Sequence, residues 1–193
     1  MKVTKMTKKK AQDIKAALSP QLIAHPLFMF YCPEKLKREK YINKFLDYYL
    51  FSWAKYGECY VSLDRKAVVS LVSVAAFEYK FSGKNSFGLK LDKNAYRIKM
   101  HRESVEAITD VVVPQRNDTR VMTIYASPAQ SMNEIKELVE EIQAHAKEKG
   151  FALVYETFSR KLVDFMTQQG FETSYQKQFL NTQFVQTVMV YNV

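Results

Sequence analysis

Three histidines, two cysteines and one carboxylate at a strand end are the side chains of this sequence with chemistry to offer. His25, His101 and His145 are widely separated and form no recognised metal-ligand pattern, so no metal centre is expected. His101, beside Arg102 and Glu103, reads as a surface residue, with a general base as the alternative. Glu156 closes a strand-like run, residues 151–156. Ligands of α/β sheets gather at C-terminal strand ends, where an acid orients a water or an amine, or else caps or pairs. Tyr155 and Tyr175 are the tyrosines nearest that end with a proton to pass, although most tyrosines in so aromatic a chain pack in a core. Cys32 and Cys59 sit among apolar residues and read as two reduced thiols.

A second candidate is the start of a helix, Gln130-Ser131-Met132-Asn133-Glu134-Ile135. Free N–H groups and the helix dipole at such a start favour an anion. No glycine lies between Gly88 and Gly150, however, so nothing there lets a phosphate approach the backbone closely. Glu134 adds a negative charge at the same place, as in any ordinary helix start.

The elements that would carry these residues follow from periodicity and punctuation. Residues 11–18 are helical, with Ser19-Pro20 as the stop, and His25-Pro26 marks a second break. Pro33-Glu34 opens a long helix to Tyr56 whose apolar face carries Leu36, Ile42, Phe45, Leu46, Tyr49 and Trp53, with Gly57 as its stop. Lys35, Lys37, Arg38 and Lys40 oppose the dipole at its start, so packing must hold it. Strands are expected over 58–63 and 66–77 around an Asp64-Arg65 turn, then a loop over 82–94, a helix over 95–110 and a polar turn over 114–119. The remainder reads as a strand (120–126), a helix (132–149) closed by Gly150, and a strand (151–156). A helix (159–169) with Leu162, Val163, Phe165 and Met166 inward follows, closed by Gly170, then a hairpin of 171–180 with 183–191. A strand, a helix and a returning parallel strand, ending on a hairpin, make a mixed sheet.

The 193 residues suit a single domain over 11–193, preceded by a basic, flexible tail over 1–10. Lys2, Lys5, Lys8, Lys9 and Lys10 supply just over half of the net charge of +9, and the rest of the chain shows no dense basic stripe. Nucleic acid is therefore not the expected partner. No apolar run reaches bilayer length, and the first ten residues lack the apolar stretch of a secretory signal, so a cytoplasmic protein with no membrane partner is expected.

Several runs together resemble the GNAT family of N-acetyltransferases. They are His25-Pro26-Leu27-Phe28 before the long helix, Tyr56-Gly57-Glu58-Cys59-Tyr60-Val61 after it, and Val121–Ala126 followed by Ser127-Pro128. Val154-Tyr155-Glu156-Thr157, then Phe165, then Gly170-Phe171-Glu172 complete the pattern from about Pro20 to the end. The resemblance implies the GNAT fold, an α/β (α+β) mixed sheet flanked by helices, here with an N-terminal helical extension. It implies acetyl-CoA as donor and a small-molecule or peptide amine as acceptor. Main-chain groups of Ile124 and Ala126 would then face the acyl carbonyl, and Gln130, Ser131, Met132 and Asn133 would lie at the CoA pyrophosphate.

The sequence departs from the family at two places. Asn133 and Ile135 occupy the glycine positions of the CoA loop, and Met166 occupies the position of the family's general-acid tyrosine, with Leu162 at that of its asparagine. A thioether has no proton to donate. Glu156 and Tyr155 are the remaining catalytic candidates. The expected function is acetyl transfer to an amine; the alternative is a non-catalytic GNAT-fold module with a degenerate CoA loop.

Overall fold

The computed structural model describes residues 2, 6–74, 95–112, 119–126, 132–180 and 182–193. Three helices come first: α1 (Lys8–Leu22), α2 (Pro26–Tyr31) and α3 (Lys35–Tyr56). Strands β1 (Glu58–Val61) and β2 (Ala67–Ser73), helix α4 (Ala95–Val112) and strand β3 (Thr119–Ala126) follow. Then come α5 (Met132–Lys149), β4 (Ala152–Thr157), α6 (Arg160–Gln168), β5 (Glu172–Gln178) and β6 (Val185–Tyr191).

The six strands form one mixed sheet in the order β1-β2-β3-β4-β6-β5. Only β3 and β4 run parallel. The closing hairpin folds back so that β6 enters between β4 and β5. Alternation along each strand divides the core. Cys59, Val61, Val68, Val72 and Tyr125 face α1, α2 and α3. Tyr60, Val69, Leu71, Met122, Leu153 and Tyr155 face α5 and α6.

Several sequence expectations are corrected by packing. Helix α1 runs through Pro20, two residues before its end. Burial of Leu18, Ser19 and Leu22 against α3 outweighs one lost hydrogen bond in a last turn. Leu36 does not join the buried face of α3; it is 99% exposed. Arg38, one of the four cations that oppose the dipole at the start of α3, is buried. Helix α1 begins at Lys8, so Lys8, Lys9 and Lys10 belong to it, and Lys2 pairs with Glu58 at 2.6 Å beside a bridge to Tyr60. The strand expected over 66–77 ends at Ser73. Its continuation, the loop over 82–94 and most of the 114–119 turn lie outside the described residues.

Gly57 ends α3, but not by a left-handed turn, since its φ of −151° is open to any residue. It is glycine because the sheet passes so close. A Cβ at this position would lie 2.3 Å from the carbonyl oxygen of Leu71 on β2, a backbone atom that cannot swing aside. Gly57→Ala is therefore expected to destabilise the fold by about 1–3 kcal/mol, as overpacking does. A urea midpoint within error of wild type would refute this account of the α3–β2 approach.

Candidate functional site

The one parallel pair among the described strands comes apart. Strands β3 and β4 are in register from Thr119↔Ala152 to Met122↔Tyr155 and no further. Beyond that point β3 continues to Ala126, held by β2 alone, while β4 continues through Glu156 and Thr157, held by β6. The two strands thus turn main-chain N–H and C=O groups toward each other across a cleft with no ladder between them. Unpaired main-chain groups at such a place are available to a ligand.

Two cavities open from this cleft. One, of about 230 Å³, lies toward α5 and is lined by Ile124, Ala126, Met132, Ile135, Lys161 and Leu162 among others. The other, of about 110 Å³, lies toward α2, α3 and α4. Its wall is aromatic, with Tyr31, Phe45, Tyr49, Trp53, Tyr125 and Phe158. Trp53 stacks on Tyr125 at 5.7 Å and Phe45 on Tyr49 at 4.0 Å, so the rings are mutually fixed. His25, Ile124, Phe158 and Leu162 line both cavities and form the wall between them.

A chain of polar side chains crosses the aromatic cavity. Tyr31, in the last turn of α2, places its hydroxyl 2.6 Å from Nδ1 of His101 on α4. The other ring nitrogen, Nε2, lies 3.0 and 3.1 Å from the two carboxylate oxygens of Glu156 at the end of β4. Gln186, on β6, donates its amide N–H to Glu156 Oε1, and its own carbonyl accepts from the Ser104 hydroxyl at 3.1 Å. Four elements therefore converge on one carboxylate–imidazole pair.

The protonation pattern follows from these contacts. Burial pushes the Glu156 carboxyl up, but the positive charge that His101 bears when protonated, its hydrogen bond and the Gln186 amide together hold it below its usual value. Glu156 is thus an anion at neutral pH and only accepts, so Nε2 of His101 carries a proton. In the neutral ring Nδ1 then accepts, and Tyr31 donates to it. Burial, reinforced by neighbouring tyrosines, raises the Tyr31 phenol well above its ordinary value, so the donor keeps its proton.

Glu156 stands at the centre of this constellation. Tyr155 does not: strand alternation turns it to the opposite face, where it is 1% exposed among Leu153, Met166 and Phe171. Tyr175 packs against Val154, Val188 and Val190, away from the cleft. Ile124, Ala126 and Met132 line the larger cavity, and Asn133 is exposed in the first turn of α5. Gln130 and Ser131 lie outside the described residues. Glu134 neighbours Asp64 and Lys66 of the β1–β2 turn, with its carboxyl raised by burial and then by Asp64. Met166 is fully buried, whereas Leu162 takes part in both cavity walls.

Sequence reasoning ranked His101 as a surface residue first and a general base second. It is 9% exposed rather than on the surface. Its signal was present: Ile98, His101, Val105 and Ile108 recur at three- and four-residue spacing, and all four line the aromatic cavity. Tyr31 and Gln186 carry no comparable signal. Among the described residues no group of three or more His, Cys, Asp or Glu is placed to hold a metal ion, and no helix is long and apolar enough to cross a membrane.

The fold has counterparts among solved structures. The C-terminal condensation domain of Ebony, determined in complex with beta-alanyl-dopamine, superposes with a TM-score of 0.63 at 9% identity, covering 100% of this chain and 98% of that one. An agmatine N-acetyltransferase superposes with a TM-score of 0.62 at 14% identity, covering 97% of this chain and 95% of that one. The chain has the GNAT fold. Drosophila melanogaster polyamine N-acetyltransferase is similar over the full length of both chains, with a TM-score of 0.57 at 12% identity. No protein-family model and no curated protein matches the sequence. The GNAT fold is thus carried here by a sequence with very little residue-level likeness to those structures.

Proposed function

We propose that the protein is an N-acyltransferase that moves an acetyl group from acetyl-CoA to a small primary amine. The observation that carries this reading is the Tyr31–His101–Glu156 chain set beside a splayed parallel strand pair. The larger cavity suits the acyl-bearing arm of acetyl-CoA: it is narrow, mostly apolar, and bordered by unladdered main chain of β3 from Thr123 to Ala126. Ile124, Ala126 and Met132 would hold the arm, and Lys161 adds a cation to the wall. When bound, acetyl-CoA supplies an activated thioester carbonyl.

The protein's own residues have two tasks toward the amine. The aromatic cavity, with the Glu156 anion inside it, attracts a cationic ammonium and excludes water from around it. An ammonium has no lone pair, so it must lose a proton before it attacks. Tyr31 is placed to accept that proton as it gives its own to Nδ1 of His101, and Glu156 steadies the resulting imidazolium through Nε2. The logic is that of a nucleophile–histidine–carboxylate triad, with a tyrosine acting as shuttle in place of the nucleophile. The family's tyrosine at the Met166 position would have protonated the leaving thiolate; Met166 cannot, so CoA leaves as the thiolate, to be protonated by solvent, and positioning carries more of the rate.

A cytoplasmic setting accords with this reading, since Cys32 and Cys59 are buried thiols outside any disulfide, and burial pushes the Cys59 thiol up to about 12. A second reading, a non-catalytic binding module, is favoured by Met166 lying wholly in the core. One titration separates them. Acetyl-CoA is expected to raise the melting temperature in proportion to its saturation, since it binds the native state alone. An unchanged melting curve at millimolar acetyl-CoA would exclude the acyltransferase reading and leave the binding module.

A further inference from the structure

His25 is half-buried in an unusual position. It is the N-cap of α2, and its Nδ1 accepts a hydrogen bond from the Leu27 main-chain N–H at 3.2 Å. Its ring is held edge-on between Phe28 and Tyr125, at 5.7 and 6.0 Å. It also lines both cavities, at the wall where they meet.

These contacts determine what the ring can do. The Nδ1 lone pair is taken by Leu27, so the neutral ring carries its proton on Nε2. Burial, opposed in part by Glu156, lowers its pKa to about 4, so the neutral form prevails at physiological pH. Such a ring has no free lone pair and cannot serve as a base. It has one N–H to offer, and among the described residues Nε2 has no hydrogen-bond partner. Because the half-buried ring lines both cavities, that N–H is open to an acceptor on a ligand.

We propose that His25 donates this Nε2–H to a ligand carbonyl oxygen at the wall between the two cavities, and so helps to hold and polarise the acyl group that passes from one to the other. This role rests on the acyltransferase reading above. The imidazole joins the main-chain groups of β3 as a neutral donor. It brings no charge that would repel an ammonium in the neighbouring cavity. The N-cap bond locks the tautomer, so the donor is oriented before any ligand arrives.

The test uses acetyl-CoA and CoA as paired probes, because they differ by one acyl carbonyl. By calorimetry at pH 7, wild type is expected to prefer acetyl-CoA by about five- to tenfold, in keeping with a single neutral hydrogen bond. His25→Asn keeps a side-chain N-cap, so α2 should still form, but the ring N–H is lost. In that variant the preference is expected to fall to about one, with CoA affinity within twofold of wild type and a larger drop in kcat than rise in KM. Nitrogen-15 NMR of the wild-type ring should show the proton on Nε2 and a shift of that resonance with acetyl-CoA but not CoA. A proton found on Nδ1, or a preference that survives His25→Asn, overturns the assignment while leaving the acyltransferase reading intact. Wild-type protein that binds neither probe overturns both.

Discussion

Glu156→Gln is expected to lower kcat/KM for an alkylamine acceptor by about 10²–10⁴-fold, the usual weight of one general acid–base group. The substitution is nearly isosteric, and Gln186 and His101 remain beside it. What it removes is the charge. Without an anion at Nε2, an imidazolium on His101 has no counter-charge in an apolar cavity, and accepting a proton through Tyr31 becomes unfavourable. The loss should depend on the acceptor. An amine of low basicity, already neutral at the assay pH, needs no proton removed and should recover most of the rate. Equal losses for amines of high and low basicity would mean that Glu156 only positions the substrate. Unchanged kcat/KM would remove it from the reaction altogether.

The sign with pH follows from the same contacts. The Glu156 carboxyl is held below its ordinary value, so it contributes its charge throughout the neutral range and loses it only in acid. His25, with its pKa lowered to about 4, likewise stays neutral until the pH falls well below that of an ordinary histidine. Its depressed value means that the unfolded chain binds a proton which the folded one refuses. Its burial therefore carries no penalty above the ordinary histidine value and disfavours the native state progressively as the pH falls toward 4.

The sequence carried the scaffold better than the site, for physical reasons. Amphipathic period and glycine punctuation located α5 and β4 nearly to the residue, because a helix or strand with one wet face must alternate with a fixed period. Gly150 and Gly170, with φ of 73° and 82°, mark turns that other residues resist. Glu156 was legible because strand ends are where sheets bind ligands. Its partners were not, because Tyr31, His101 and Gln186 are separated from it by 125, 55 and 30 positions, and nothing local records a contact at that range. His101 was misplaced because its neighbours Arg102 and Glu103 suggested solvent, whereas the helical stripe through Ile98 and Val105 decides which way the side chain faces. Leu36 failed in the opposite sense: it stands six residues before Ile42, and the face of α3 covered at that end is the one that carries Arg38, nearly opposite Leu36.

Arg38 shows how far from the cleft the site is built, and removing it is expected to give the largest loss of stability of any single change considered. Its guanidinium is buried and donates three hydrogen bonds of 2.7 Å, from Nε to the Cys32 carbonyl, Nη1 to that of Ile23 and Nη2 to that of Pro33. Those carbonyls lie just before and just after α2. One planar fork on α3 thus clamps both ends of the helix that carries His25 at its start and Tyr31 at its end. Arg38→Ala leaves three carbonyls without their donor in a packed junction, and a charge-assisted bond contributes about 1.5–3 kcal/mol. The bonds share one group and do not add in full, so a total loss of about 3–5 kcal/mol is expected. For a chain of this size that lowers the melting temperature by roughly 6–20 °C. Arg38→Lys keeps the charge but not the fork, and should lose less stability while still loosening α2. Hydrogen exchange then distinguishes a local clamp from general core packing. In Arg38→Lys, amides of α2 should exchange faster while those of α5 stay protected, and activity should fall through Tyr31 without unfolding of the sheet. Uniform exchange across both helices, or an Arg38→Ala midpoint within about 1 kcal/mol of wild type, would show that α2 is held by its apolar contacts alone.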